Sequence, residues 1–152
     1  MKKIVSALVL STALVAVAAA QTTTAPQAPT AAAADQNKTQ QSLQGTWLVI
    51  SFNGQDPSAQ GAEMVFLIDK NTYKIAVNGE QIESGTFKVD DTKKPITFDL
   101  DIKEGDDAGK WQPGVMEIKG DVVQVGLATP GNTVRPTSFD TAELTAVFRK
   151  VK

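Results

Sequence analysis

The chain has 152 residues, with 15 basic and 17 acidic side chains, and it contains neither histidine nor cysteine. These missing residue types exclude zinc sites, thiol chemistry and catalytic triads in their ordinary forms. The mild negative charge argues against a surface for nucleic acid or anionic lipid, since both require a basic patch. Because no disulfide is available, the folded part needs an apolar core that is stable on its own. We predict no enzymatic activity and no cofactor.

The N-terminal segment has the layout of a secretory signal peptide. Lys2 and Lys3 precede an apolar run over residues 4–17, and three alanines follow it at 18–20. The run is shorter than the roughly 20 apolar residues that span a membrane, so we predict cleavage after Ala20 and not an uncleaved anchor. No cysteine follows the run, which excludes a lipoprotein anchor. The sequence therefore predicts an exported protein, periplasmic or extracellular, without a membrane span after signal cleavage.

The next segment, residues 21–41, is rich in Thr, Ala, Pro and Gln and has no apolar periodicity. Such a segment cannot bury enough surface to offset the entropy lost on ordering it. We therefore predict a disordered tether over residues 21–41, followed by one folded domain over residues 42–152. The length of that domain is within the normal range for a single independently folding unit.

Short apolar segments with period-two alternation fill the predicted domain, and turn signals such as Asn53-Gly54 and Asn78-Gly79 separate them. This alternation is typical of strands, and the two dipeptides favour tight turns. The predicted strands are residues 47–52, 64–69, 72–77, 84–89, 96–103, 115–118, 122–127 and 144–151. We predict an all-β fold, an eight-stranded antiparallel up-and-down barrel, with a sandwich as the alternative. Eight strands enclose an interior that side chains fill or that holds one small ligand.

Gly45-Thr46-Trp47 is a Gly-x-Trp motif on the first predicted strand, as found in lipocalins. With Gly85-Thr86-Phe87, Gly120-Asp121 and Arg135-Pro136-Thr137-Ser138-Phe139, it resembles an exported bacterial family of lipocalin-like domains of uncharacterised function, found in planctomycete-type genomes. The resemblance covers nearly all of residues 43–150. It implies a calycin-like barrel, and it carries over no activity, ligand or catalytic residue.

The resemblance also implies a structural role for the tryptophan. In lipocalins, a cationic side chain near the end of the last strand usually packs over the first-strand Trp and closes the base of the barrel. The candidates to pack over Trp47 are Arg149 and Lys150. The planar guanidinium favours Arg149, because it stacks well on an indole, whereas strand parity favours Lys150. We predict Arg149.

The leading functional hypothesis is a binding module for a small apolar or amphipathic molecule, by analogy with other barrels. The side chains expected to face the ligand are Phe66, Tyr73, Phe87, Phe98, Met116 and Phe148. The alternative is a packed barrel that acts as a structural or protein-interaction module in the cell envelope, in which these side chains are core. An interior cavity below roughly 300 Å³ would favour the packed barrel.

The longest irregular connection covers residues 128–142 and contains Arg135 and Phe139. Loops longer than about 12 residues are often functional. One hypothesis places Arg135 at the barrel mouth, facing a carboxylate of the ligand, because a guanidinium is the preferred partner of that group. In the structural alternative, Arg135 donates to loop carbonyls and Phe139 caps one end of the barrel.

Five nearby acids suggest a calcium site, since this cation binds several oxygen ligands from one loop. They are Asp99, Asp101, Glu104, Asp106 and Asp107. The first two share the outward face of a predicted strand, and the others lack the alternating spacing of a calcium loop. We therefore predict a solvated turn and no metal site.

Overall fold

The computed structural model describes residues 38–152, so the predicted signal peptide and residues 21–37 of the predicted tether lie outside the described residues. The described chain forms a closed barrel in which each strand pairs antiparallel with the next and the last pairs with the first. The strands are β1 (Gly45–Phe52), β2 (Met64–Asp69), β3 (Thr72–Val77), β4 (Glu80–Asp90), β5 (Ile96–Glu104), β6 (Trp111–Lys119), β7 (Val122–Leu127) and β8 (Leu144–Lys150). The predicted eight-stranded up-and-down barrel is confirmed.

Strand β5 shows how the alternation in the sequence builds the barrel wall. Phe98, Leu100 and Ile102 are buried, whereas Asp99 and Asp101 between them are partly exposed. Successive side chains of a strand point to opposite faces, so the apolar set fills the interior and the acidic set lies on the outer wall.

The predicted bounds of β2, β3 and β7 are confirmed, but β4 and β6 begin earlier than predicted. In β6 the sequence Gln112-Pro113-Gly114 has the composition of a turn, yet it pairs with β5 in regular register. Proline cannot donate a backbone hydrogen bond, but the carbonyl of Pro113 accepts one from the backbone N–H of Ala128 at 2.9 Å. The connection that follows β7 therefore supports this part of the wall.

A short helical turn, residues 38–42, precedes the barrel and is bound to it. Next to this turn, the side chain of Gln44 accepts from the backbone N–H of Lys70 and donates to its carbonyl, at 2.5 and 2.9 Å. The Thr39 hydroxyl donates to the carboxylate of Asp91. The last residues of the predicted tether are thus part of the folded unit, because their polar groups find partners on the turns of the barrel.

The barrel has two ends, which we call the base and the mouth. The base carries the short β2–β3, β4–β5 and β6–β7 turns, and the mouth carries the β1–β2, β3–β4, β5–β6 and β7–β8 connections. The mouth connections hold six acidic and two basic side chains, whereas the base turns hold two acidic and three basic ones. The two ends therefore differ in charge. No helix within residues 38–152 is long and apolar enough to cross a membrane.

Candidate binding site

Trp47 closes the base of the barrel. Its side chain is 2% exposed, and its indole Nε1 donates to the carbonyl of Leu43 at 2.6 Å. Lys150, and not the predicted Arg149, lies over the ring, with Nζ 5.2 Å from the ring centroid. The same ammonium group donates to the carbonyl of Ser42 at 3.0 Å.

The choice of Arg149 was wrong because strand parity outweighs the better stacking of a guanidinium. Positions 146, 148 and 150 of β8 face inward, and Arg149 is exposed on the outer wall. Gly45 completes the arrangement: its φ of +112° lies in a region that side chains rarely adopt. The glycine of the Gly-x-Trp motif is therefore required by the backbone where the chain enters the barrel.

The lower interior, next to the base, is packed. The space there has a volume of only about 10 Å³, close to the minimum that holds one water molecule. Phe66 stacks on Tyr73 with ring centroids 5.4 Å apart and contacts Phe148 at 5.2 Å. Aromatic rings thus fill this half of the barrel and leave no room for a ligand.

The upper interior, towards the mouth, contains a cavity of about 230 Å³. Phe66, Phe98 and Phe148 line both this cavity and the small space beneath it, so they form the floor between the two. The walls are mostly apolar, and the side chains around the opening include Phe52, Met64, Ile82 and Leu144. The barrel therefore combines a packed lower half with an open upper half.

The side chains predicted to face a ligand divide between these two halves. Phe66, Phe98 and Phe148 line the cavity, whereas Tyr73 and Phe87 are buried outside it and Met116 lines only the packed space. Sequence reasoning missed several residues that line the cavity, including Phe52, Ile82, Glu83, Gln112 and Leu127. Glu83 has the same strand parity as Phe87, four positions later, but it lies before the predicted strand 84–89, so parity would have identified it only if the early start of β4 had been predicted.

Glu83 brings a carboxyl group into this apolar setting. Its Oε1 accepts a hydrogen bond from the hydroxyl of Tyr73 at 2.8 Å. Burial raises the pKa of Glu83; the hydrogen bond from Tyr73 opposes that rise, and the charge of Asp107 adds to it. Burial also raises the pKa of the Tyr73 hydroxyl, so this phenol stays protonated and acts as the donor. The carboxyl of Glu83 is therefore a polar group in the mostly apolar wall of the cavity.

Arg135 lies on the outer wall and does not face the mouth, where one of the two hypotheses from the sequence placed it. Its guanidinium donates to both carboxylate oxygens of Asp99 and, at 2.8 Å, to the carbonyl of Gly114, on the outer wall of β5 and β6. It also lies 5.9 Å from the ring centroid of Trp111. Since Asp99 faces outward, this bidentate pair holds the β7–β8 connection against the outside of the barrel.

Phe139 is on the outer wall as well and does not cap an end of the barrel. A Cβ placed on Gly126 would lie 3.2 Å from Cδ1 of Phe139 and 2.8 Å from the Cβ of Ala142. The β7–β8 connection therefore packs closely on the glycine of β7, which has no side chain to keep it away.

A groove of about 820 Å³ lies on the outer wall between this connection and the β4–β5 turn. Its lining includes Lys88, Lys93 and Lys94, and the Arg135–Asp99 pair contributes to it as well. Cationic side chains thus outnumber acidic ones along this groove, although the chain as a whole carries a net charge of −2.

Four of the five clustered acids, Asp99, Asp101, Glu104 and Asp107, make separate local contacts and do not converge on one site. Asp101 pairs with Lys103 at 2.7 Å, and Glu104 accepts from Gln81 and Ser84. Within residues 38–152, no group of three or more acidic side chains is arranged to hold a metal ion.

Comparison of the chain with family models, curated proteins and solved structures gave no match. The architecture itself, a closed barrel of eight antiparallel strands in sequential order, is compatible with a calycin-like fold.

Proposed function

We propose that the protein is an exported, non-enzymatic binding protein that takes one small apolar or amphipathic molecule into the mouth of its barrel. The observation that carries this proposal is the apolar cavity of about 230 Å³ above the floor of Phe66, Phe98 and Phe148. Apolar cavities with a few polar groups are the usual form of small-molecule sites.

The volume of the cavity limits the size of the ligand. At about 230 Å³, it is below the limit of roughly 300 Å³ under which a packed barrel was the favoured expectation, so the volume counts for that alternative and gives no support to a drug-sized ligand or a large lipid. It is above the roughly 150 Å³ of an engineered apolar cavity that binds benzene or xenon. The proposal is therefore narrower than the expectation from sequence, and it concerns molecules such as a single ring or a short alkyl chain.

The exposed apolar side chains at the mouth support an entry route for the ligand. Phe52 and Ile82 are 39% and 49% exposed, and both line the opening of the cavity. Exposed apolar groups that cluster at one place usually mark a binding or interaction surface. At this position, an entering apolar molecule would cover them.

Binding is tested by titrating the purified protein with 1-octanol in a calorimeter. In the variant Ala146→Leu, a larger side chain enters the cavity from β8, so binding should be lost. The matched control is Thr145→Leu, which adds bulk on the opposite face of the same strand and should bind like the unmodified protein. Circular dichroism establishes that both variants are folded. A protein that binds neither 1-octanol nor any other short-chain alcohol would contradict the proposal.

We also propose export by a cleaved signal peptide and membership of the lipocalin-like family that the Gly45-x-Trp47 motif resembles. The closure of the base by Trp47 and Lys150 supports the family resemblance. Export is tested by expressing the full chain in a Gram-negative bacterium and determining the N-terminus of the product in each fraction. Cleaved protein beginning at Gln21 in the periplasm or medium is expected, and uncleaved protein in the cytoplasm would contradict export.

A second candidate function is a protein-interaction module, and the groove on the outer wall favours it. Lysines at 88, 93 and 94 give this surface a positive charge, which suits an extended acidic polypeptide. Fluorescence anisotropy with labelled poly-L-glutamate tests this function at two salt concentrations. Binding that weakens on Lys93→Glu but not on Lys103→Glu, a change outside the groove, is expected, and equal loss in both variants would contradict a defined surface.

A further inference from the structure

The mouth cavity is lined by charge of one sign only. Among the side chains of residues 38–152 that line it, Glu83 and Asp107 are the only ones that carry a charge, and both are acidic. The mouth connections around it are also predominantly acidic. An electrostatic field of this sign attracts cations towards the opening and repels anions.

Of the two acids, Glu83 is the one without a cationic partner. Asp107 pairs with Lys110 at 2.7 Å, in a solvent-exposed contact. Glu83 forms no ion pair with any lysine or arginine of residues 38–152, and its polar contact is the hydroxyl of Tyr73. Removing a carboxylate from water without a compensating charge is unfavourable. A positively charged ligand group would remove that cost.

The surroundings of Glu83 favour the same ligand group. Burial raises the pKa of the carboxyl, as expected where no cation stabilises its ionised form. Phe52, Phe66, Phe98 and Phe148 line the same cavity. The face of an aromatic ring attracts a cation. This aromatic lining therefore accommodates an ammonium group better than an aliphatic lining would.

We propose that the cavity selects a small primary amine with an apolar body, whose ammonium group binds to Glu83 while the apolar part lies against the floor of Phe66, Phe98 and Phe148. This inference rests on the proposed function, and it gives that function a ligand class. A fatty acid of the same length is the disfavoured ligand, because its carboxylate would lie near Glu83 and Asp107 with no cation in the lining to pair with it.

The test compares three eight-carbon probes that differ in head group: octylamine, 1-octanol and octanoate. At pH 7.4 the amine is positively charged and the acid negatively charged, while the alcohol reports on the cavity alone. We expect octylamine to bind at least about tenfold more tightly than octanoate, the effect of one charge-assisted hydrogen bond. Isothermal titration calorimetry measures the three dissociation constants.

Two variants with the same change in net charge locate the recognition. Glu83→Gln retains an acceptor for the Tyr73 hydroxyl and should reduce the preference for the amine over the acid by at least about fivefold. Glu80→Gln removes an exposed carboxylate at the same end, outside the cavity lining, and should leave the preference unchanged. The affinity for 1-octanol should be unchanged in Glu80→Gln, and in Glu83→Gln it should change less than the affinity for octylamine does.

The possible results separate the inference from the function on which it rests. If 1-octanol binds but octylamine is no tighter than octanoate, the ligand class is wrong and the binding function stands. If Glu83→Gln and Glu80→Gln reduce the preference equally, the general charge of the mouth is responsible and recognition by Glu83 is overturned. If none of the three probes binds, the binding function itself fails, and the inference fails with it.

Discussion

The base and the mouth of the barrel close the same eight strands in different ways. At the base, Trp47 and Leu43 are each 2% exposed, and the space beside them is about 10 Å³. At the mouth, Phe52 and Ile82 are 39% and 49% exposed, and they border a cavity of about 230 Å³. The comparison shows a packed base and an open mouth, so substitutions at the two ends should have different effects on stability.

The largest effect is expected at the base. Trp47→Ala should lower the free energy of unfolding by about 3–5 kcal/mol, because it removes a buried aromatic side chain and leaves a cavity. Chemical denaturation measures this loss. The control is Trp111→Ala on the outer wall, which should cost less because Trp111 is 39% exposed. Equal losses in the two variants, or an unchanged midpoint for Trp47→Ala, would contradict the assignment of stability to the base.

A smaller effect is expected where the long mouth connection is held to the outer wall. Arg135→Ala should lower the free energy of unfolding by about 1–3 kcal/mol, since it leaves Asp99 and the carbonyl of Gly114 without their donor. The affinity for 1-octanol should not change, because Arg135 does not line the cavity. A loss of ligand affinity in this variant would mean that the guanidinium acts at the mouth after all.

The ammonium group of Lys150 over the Trp47 ring should contribute less to the free energy of unfolding than Arg135 does. Lys150→Met retains much of the side chain but loses the charge, so we expect a loss of about 0.5–1 kcal/mol in the free energy of unfolding. Arg149→Met, on the exposed face of the same strand, should change it by less than about 0.5 kcal/mol. A larger loss at Arg149 than at Lys150 would contradict the contact that closes the base.

The smallest expected effect is at the mouth, where a substitution should raise the stability of the protein instead of lowering it. Because burial raises the pKa of Glu83, the folded protein holds this proton to a higher pH than the unfolded chain does. Stability therefore decreases as the pH rises from the ordinary value of 4.5 through the raised one. At pH 7, Glu83→Gln should melt about 1–3 °C higher than the unmodified protein, and the difference should vanish below about pH 4. Thermal melts of both proteins across this pH range test the prediction. A difference in melting temperature that does not depend on pH would contradict it.

The barrel could be predicted from the sequence because period-two alternation is strong in most strands. Phe98, Leu100 and Ile102 alternate with acids, and the structure places each on the expected face. The first half of β6 could not be predicted, because Pro113 and Gly114 are usually turn residues. They are accommodated in a strand here because Ala128 and Arg135 of the β7–β8 connection donate to their carbonyls, and contacts so distant in the sequence leave no local signal.

The site was less predictable than the fold, for a physical reason. Local alternation assigns a side chain to the inner face, but it does not tell whether that part of the interior is filled. Phe66 and Tyr73 are both inward, yet only Phe66 reaches the cavity. Arg135 was misplaced because its partner, Asp99, lies 36 positions away in the sequence. The type of a residue indicates what its side chain can bind. Where that side chain lies depends on contacts with residues that are distant in the sequence, as Arg135 and Asp99 show.

The closure of β1 on β8 determines how the protein can be attached to anything else. Gly45 begins β1 and Lys150 ends β8, so both ends of the barrel chain leave from the base. A bead, a surface or a fusion partner joined directly before residue 38 or after Lys152 would therefore stand on the side of the base, and the mouth would point away from it. Attachment at both of these points at once is also compatible with an open mouth, which makes this barrel suited to immobilised binding assays.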